Sequence, residues 1–258
     1  MTASTEEAGL VFFTALALCA LLTARLVYRY DLYEHEPVPL LGVAIALGAG
    51  AMWAAGLVES RSFALGLGTG PLGIAAVAGA AEELAKLLVV GAVSLLARRE
   101  FDDPMDGVVY GSMAGLGAAL EESIFYQRSA PAWYTLVPAA ELVRLWAHVV
   151  LGGIVGFPLG FWRASPKRAA LAALPGLALA AGLHFGWDAI VLSIPDGMAP
   201  SARLTLAGVA LMIGSLVLYG RLVVVASAGS RQEFAPQSAL RLWGWPFDRL
   251  NARRRRAD

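Results

Sequence analysis

Long apolar runs alternate along this chain with short polar or turn-forming stretches, and the runs have the length of bilayer spans. Seven can be marked: Ala8 to Ala24, Pro37 to Val58, Pro71 to Ala97, Gly107 to Gln127, Leu136 to Trp162, Ala169 to Ile194 and Leu204 to Ala226. Roughly 20 apolar residues cross the hydrocarbon core as a helix, so the pattern predicts an all-α, polytopic membrane bundle of about seven transmembrane helices. The same pattern divides the chain into a helical bundle over residues 1–228 and a basic juxtamembrane tail over 229–258. Within the fourth run, Gly107, Gly111, Gly115 and Ala118 follow one another at helical spacing, a face on which a neighbouring helix can approach closely. Glu122 is the next residue on that face, whereas Glu121 is rotated away from it by about 100°. The glycine-rich LGLGTGPLG, Leu65 to Gly73, lacks the strand and the Lys-Ser/Thr of a phosphate loop and reads as a turn between helices.

Composition agrees with the pattern. Of 258 residues, 58% are hydrophobic and only 16% charged, where a soluble domain carries about a quarter. Cys19 is the single cysteine and lies in the first run, so neither an internal disulfide nor a thiolate metal cluster is available. Glu6 and Glu7 precede that run where a secretory signal would carry positive charge, which predicts a retained helix. A formal net charge of zero conceals an uneven distribution. Arg25, Arg29, Arg98, Arg99, Arg163, Lys167, Arg168, Arg221 and the arginines of the tail fall on one side, against Arg61, Arg128 and Arg203 on the other. Positive loops stay inside, so the amino terminus is expected outside and the carboxyl terminus in the cytoplasm. The tail mixes RRRR (Arg253 to Arg256) with Trp243, Trp245 and Phe247. Contact with anionic lipid head groups accounts for it without a nucleic-acid partner.

Against this apolar background, certain residues stand out. Glu82, Glu83 and Lys86 interrupt the third run, Glu121 and Glu122 the fourth, Arg144 and His148 the fifth, and His184 with Asp188 the sixth. Each charge in hydrocarbon costs about 2.5–3.5 kcal/mol on insertion scales, so such groups must be paired, hydrated or metal-bound. Counting rise from the outer ends puts Glu82, His148 and His184 about 15–18 Å deep, and Glu122 and Asp188 only about 8–9 Å. Lys86 lies one turn from both Glu82 and Glu83 and can neutralise either. Asp188, one turn from His184, can hold that imidazole in one tautomer. Two imidazoles and a carboxylate from separate helices make a three-ligand zinc site with one position open to water, and a further glutamate could take a proton from that water. Every element also has a structural reading: Glu82 or Glu83 salt-bridged to Lys86, each histidine hydrogen-bonded to a neighbouring helix, Asp103 and Asp106 as helix caps, and Glu141 as partner of Arg144.

The order of the motifs resembles the PrsW family of intramembrane proteases, related in plan to the CAAX-protease group of membrane peptidases. DLYEHEP (Asp31 to Pro37), EELAK (Glu82 to Lys86), the DPMDGVVYG run continuing to Glu122 and Ser123, His148, and HFGWD (His184 to Asp188) carry the likeness. Ala118 and Ser123 stand where the family has phenylalanine and asparagine. The resemblance implies a membrane endopeptidase, usually metal-dependent, acting on membrane-associated protein substrates in a bacterial or archaeal plasma membrane. Depth and motif order together assign His148, His184 and Glu122 to a metal, expected to be Zn2+, or to orienting water. They assign Glu82 or Glu83 as general base, with Lys86 and Asp188 in support. An ion-coupled transporter and a catalytically inactive scaffold are the rival readings; the chain shows no paired interrupted helices of the kind transporters use.

Overall fold

In the computed structural model of the chain, which describes residues 5–129, 139–195 and 198–234, the described residues form seven helices and no strands. They are α1 (Thr5–Tyr28), α2 (Val38–Ala64), α3 (Gly70–Leu96), α4 (Pro104–Ser129), α5 (Ala139–Phe161), α6 (Pro166–Leu192) and α7 (Ala202–Phe234). Five of them, α1, α2, α5, α6 and α7, are long and apolar enough to span a membrane on those grounds alone. The chain is a multi-pass membrane protein. The other two, α3 and α4, carry the acidic motifs; α3 also faces outward at Leu84, Leu88 and Leu95, whereas α4 lies inside the bundle. α4 is its axis: every residue from Asp103 to Ala119 is buried, so it need not be apolar enough to face lipid. α7 runs on through Phe234, past the expected end of the bundle at residue 228, and the tail beyond Phe234 lies outside the described residues.

Two sets of close contacts hold α4 in place. On the face predicted from the glycine spacing, it meets α5 backbone to backbone. A Cβ on Gly107 would lie 2.4 Å from the Gly156 carbonyl oxygen, one on Gly111 2.2 Å from that of Gly152, and one on Gly115 2.0 Å from that of His148. Gly152, Gly156 and Gly160 form the answering stripe on α5, with Gly152 and Gly156 blocked in turn by the carbonyls of Gly111 and Gly107. On another face, Gly117 abuts Ile45 of α2, and Gly48 of α2 abuts Ala114. Small residues are what let membrane helices approach this far, since lipid-facing leucines give no hydrophobic incentive to associate. The α2–α3 connection is the expected turn: Gly66, Gly68 and Gly70 adopt φ of 78°, 74° and 69°, a region that β-carbons disfavour.

α4 starts with a reciprocal cap. The Asp103 carboxylate accepts from the backbone N–H groups of Met105 and Asp106, and the Asp106 carboxylate accepts from the N–H of Asp103 at 2.7 Å. This settles both aspartates as capping groups. The segment that precedes α2 folds against this helix start: the Tyr110 hydroxyl donates to Glu36, and the Phe101 ring stacks on Tyr110 at 5.9 Å. Asp31 is only 1% exposed. Burial, reinforced by the negative charges of Asp103 and Glu36, pushes the Asp31 carboxyl up to about 7.

Two outcomes follow from this packing. Gly115→Ala should cost about 1–3 kcal/mol through overpacking and lower the melting temperature in detergent. Gly91→Ala should not, because nothing lies within 4 Å of the added Cβ. Because the folded protein holds the Asp31 proton more tightly than the unfolded chain, stability should be greatest in mild acid and fall as pH rises toward and through 7. Melting curves of Asp31→Asn across pH 5 to 8 should show a shallower slope than the wild type.

Candidate active site

The reactive residues come from four helices and meet in the half of the bundle where α4 ends and α5 begins. Along their helices, Glu82 is 12 residues from the Gly70 end of α3 and Glu122 seven from the Ser129 end of α4. His148 is nine from Ala139 and His184 eight from Leu192. Side chains lean toward the N-terminus of their own helix. Glu122 therefore leans inward from a shallow position, and Asp188 leans one turn back toward His184. The expected mismatch in depth disappears: Glu122 lies 2.8 Å from His148 Nε2, and Asp188 3.5 Å from His184 Nε2. Glu121 does not take part in these contacts.

The Glu82–Glu83–Lys86 turn of α3 is buried, with these residues 6%, 0% and 1% exposed. Of the two carboxylates open to Lys86, the structure selects Glu83. The ammonium donates to Glu83 Oε1 at 2.5 Å, and the same oxygen takes a hydrogen bond from His184 Nδ1 at 2.8 Å. Glu82 is thereby left facing the middle. Its Oε2 lies 3.6 Å from His184 Nε2 and 4.0 Å from His148 Nδ1, and the two imidazoles pack edge to face at 5.6 Å. Glu82, Glu122 and His148 each offer a ligand atom, and the three atoms lie within 4.8 Å of one another. His184, which the sequence grouped with His148 and Glu122, adjoins this triad through Glu82.

Whether this set suits a metal can be judged from what its atoms lack. Glu82 Oε2 and His148 Nδ1 are buried without hydrogen-bond partners, and each such group costs about 1–3 kcal/mol. A divalent cation or a water between them would relieve both. Two carboxylates and an imidazole are a donor set zinc accepts, so the residues fit.

A second line of contacts supports Glu122. Ser123 Oγ donates to Glu141 Oε2 at 2.6 Å, Glu141 Oε1 accepts from Arg144 at 2.6 Å, and Arg144 Nε reaches Glu122 at 3.4 Å. Arg144 also lies over the Tyr126 ring at 4.5 Å. The Glu141–Arg144 pair was readable from its spacing; the role of Ser123 as its tie to α4 was not. Glu59 was missed as well. It falls just beyond the apolar run that marked the second segment, yet α2 continues to Ala64, and its carboxylate interacts electrostatically with His184, Glu122 and Asp188.

Four helices bury a glutamate between two histidines, with a cationic clamp behind, an arrangement that fits a membrane-embedded hydrolase. The comparisons agree. The sequence model for "PrsW family intramembrane metalloprotease" matches residues 36–219, from the end of the first connecting segment into α7, and the chain belongs to that family. The curated "Protease PrsW" of Bacillus subtilis (strain 168) is 28% identical over 171 residues, 66% of this chain and 77% of that protein. No solved structure matches. Neither the transporter nor the inactive-scaffold reading gains support from these findings.

Lys86 is expected to be needed for the fold of the site. Lys86→Met strands the Glu83 charge in the interior and should cost about 3–5 kcal/mol, whereas Lys86→Met combined with Glu83→Gln should recover most of that loss. Melting temperatures of the two variants and the wild type in the same detergent check this.

Proposed function

We propose that the chain hydrolyses peptide bonds of membrane-associated proteins at this centre, with Glu82, Glu122 and His148 holding a zinc ion. The observation that carries the proposal is the pair of buried, unpartnered atoms, Glu82 Oε2 and His148 Nδ1, facing each other at 4.0 Å, with Glu122 on the other nitrogen of the same ring. Zinc bound there supplies Lewis acidity and lowers the pKa of water toward neutrality. The remaining groups handle protons. With His184 Nδ1–H donating to Glu83, Nε2 is the ring nitrogen left facing Glu82 and Asp188. His184 takes a proton from the attacking water as its oxygen bonds to the scissile carbonyl carbon. It returns the proton to the amide nitrogen as the carbon–nitrogen bond breaks. Glu83, fixed by Lys86, keeps the ring in this tautomer and stabilises the imidazolium, while Asp188 supports the same nitrogen from one turn away. The uneven spread of basic residues supports a plasma-membrane protein with its amino terminus outside and its carboxyl terminus in the cytoplasm.

The test joins metal content to turnover. Protein purified in detergent should hold about one zinc per chain and lose cleavage of membrane-protein substrates on chelation. Glu82→Gln and His148→Ala should lose metal, and His184→Gln should retain it while turnover falls by about 10²-fold or more. Chelator-indifferent cleavage would remove the metal from the proposal, and full activity in His184→Gln would remove the proton carrier.

A further inference from the structure

An apolar hollow shares two walls with this centre. It has a volume of about 410 Å³ and lies between α5, α6 and α7, lined among others by Val143, Ala147, Leu183, Trp187, Leu211 and Leu216. Each of the first four is the immediate sequence neighbour of a site residue: Val143 of Arg144, Ala147 of His148, Leu183 of His184 and Trp187 of Asp188. Neighbours on a helix differ by about 100°, so on both α5 and α6 an apolar stripe facing the hollow runs alongside the polar stripe facing the glutamates.

The hollow opens to the side of the bundle. At its rim Leu142, Met212 and Leu216 are 41%, 37% and 41% exposed. Its α7 wall is lightly held: between Thr205 and Leu218 only Gly208 is buried. The volume matches about one turn of helix, about 420 Å³ for a 10 Å diameter and a 5.4 Å pitch. An acyl chain would fill such a space but offers nothing to the polar stripe beside it. A peptide segment can bury apolar side chains in the hollow while presenting a backbone amide to Glu82, His148 and His184.

We infer that this hollow is a lateral entry and binding site for one membrane-spanning segment of a protein substrate, which passes between α5 and α7 to reach the glutamates. The inference rests on the proteolytic reading above and adds the route: the substrate's span enters from within the bilayer, between α5 and α7.

Photocrosslinking in vesicles of phosphatidylethanolamine and phosphatidylglycerol tests it. The full chain would carry benzoylphenylalanine at Met212, or at Leu18, a lipid-facing position of α1 that is 57% exposed. The probe is a lysine-flanked Leu/Ala peptide with a single span of about 20 residues. Peptide adducts should form about tenfold more strongly from Met212 than from Leu18, a preference that marks specific capture. They should fall when unlabelled peptide competes and in Leu216→Trp, which narrows the rim. Equal yields from the two positions, or adducts from Met212 with lipid alone, would overturn the inference. Capture does not require turnover, so the two readings can fail separately. A chain that captures the probe without ever cleaving a membrane protein would sink the proteolytic reading and leave the entry site standing. Cleavage of a membrane protein without its capture at Met212 would do the reverse.

Discussion

Backbone contact between α4 and α5 is the constraint on which the rest of this molecule depends. With Gly107, Gly111 and Gly115 against Gly156, Gly152 and the His148 carbonyl, the two helices are locked in one register with no side chain between them. The helices are antiparallel, and side chains tilt toward the N-terminus of their own helix. His148 therefore leans toward the end where α4 finishes, and Glu122 leans back toward it. A register slipped by one residue would rotate both by about 100° and separate them. The stripe of small residues is thus part of the site's geometry as well as of its packing.

Burying this much charge in a membrane protein works because the groups satisfy one another. Lys86 and His184 converge on a single oxygen of Glu83, and Arg144 is shared between Glu141 and Glu122. Glu82 Oε2 is left without a hydrogen-bond partner, between the two imidazoles. An oxygen left free between two imidazoles favours a cation or a polarised water there, since an unsatisfied buried acceptor binds either far more readily than a paired one does. The two helices that carry these glutamates, α3 and α4, are also the two outside the five apolar spans, α3 because Glu82, Glu83 and Lys86 interrupt an otherwise apolar helix.

α4 is polar at both ends. Near its start, the Asp103–Asp106 cap and Tyr110 receive the segment from Asp31 to Glu36, so two stretches about 70 residues apart in sequence close one end of the bundle. From Tyr110 to Glu122 the helix rises about 18 Å. The acidic cluster at the start is therefore separate from the reactive centre and helps to hold the helix that positions it.

Much of this could be read from the chain itself. Seven apolar runs gave the helices, because in a membrane only length and hydropathy decide where a span lies. The glycine spacing and the choice of Glu122 over Glu121 follow from helical periodicity alone, and so do the Glu141–Arg144 pair and the aspartate caps. Tertiary structure decided what periodicity along one helix cannot reach. Lys86 had two carboxylates at suitable spacing, and only His184 arriving from α6 on the far side of Glu83 settled which it holds. Glu122 is as shallow as its helix end implied, and only the packed helices show its side chain reaching His148, because reach toward a partner depends on the direction in which two helices cross. Glu59 and Ser123 joined the site through neighbours distant in sequence. Spacing within a helix fixes which residues share a face; which faces meet, and which atom is left without a partner, is determined only when the helices pack.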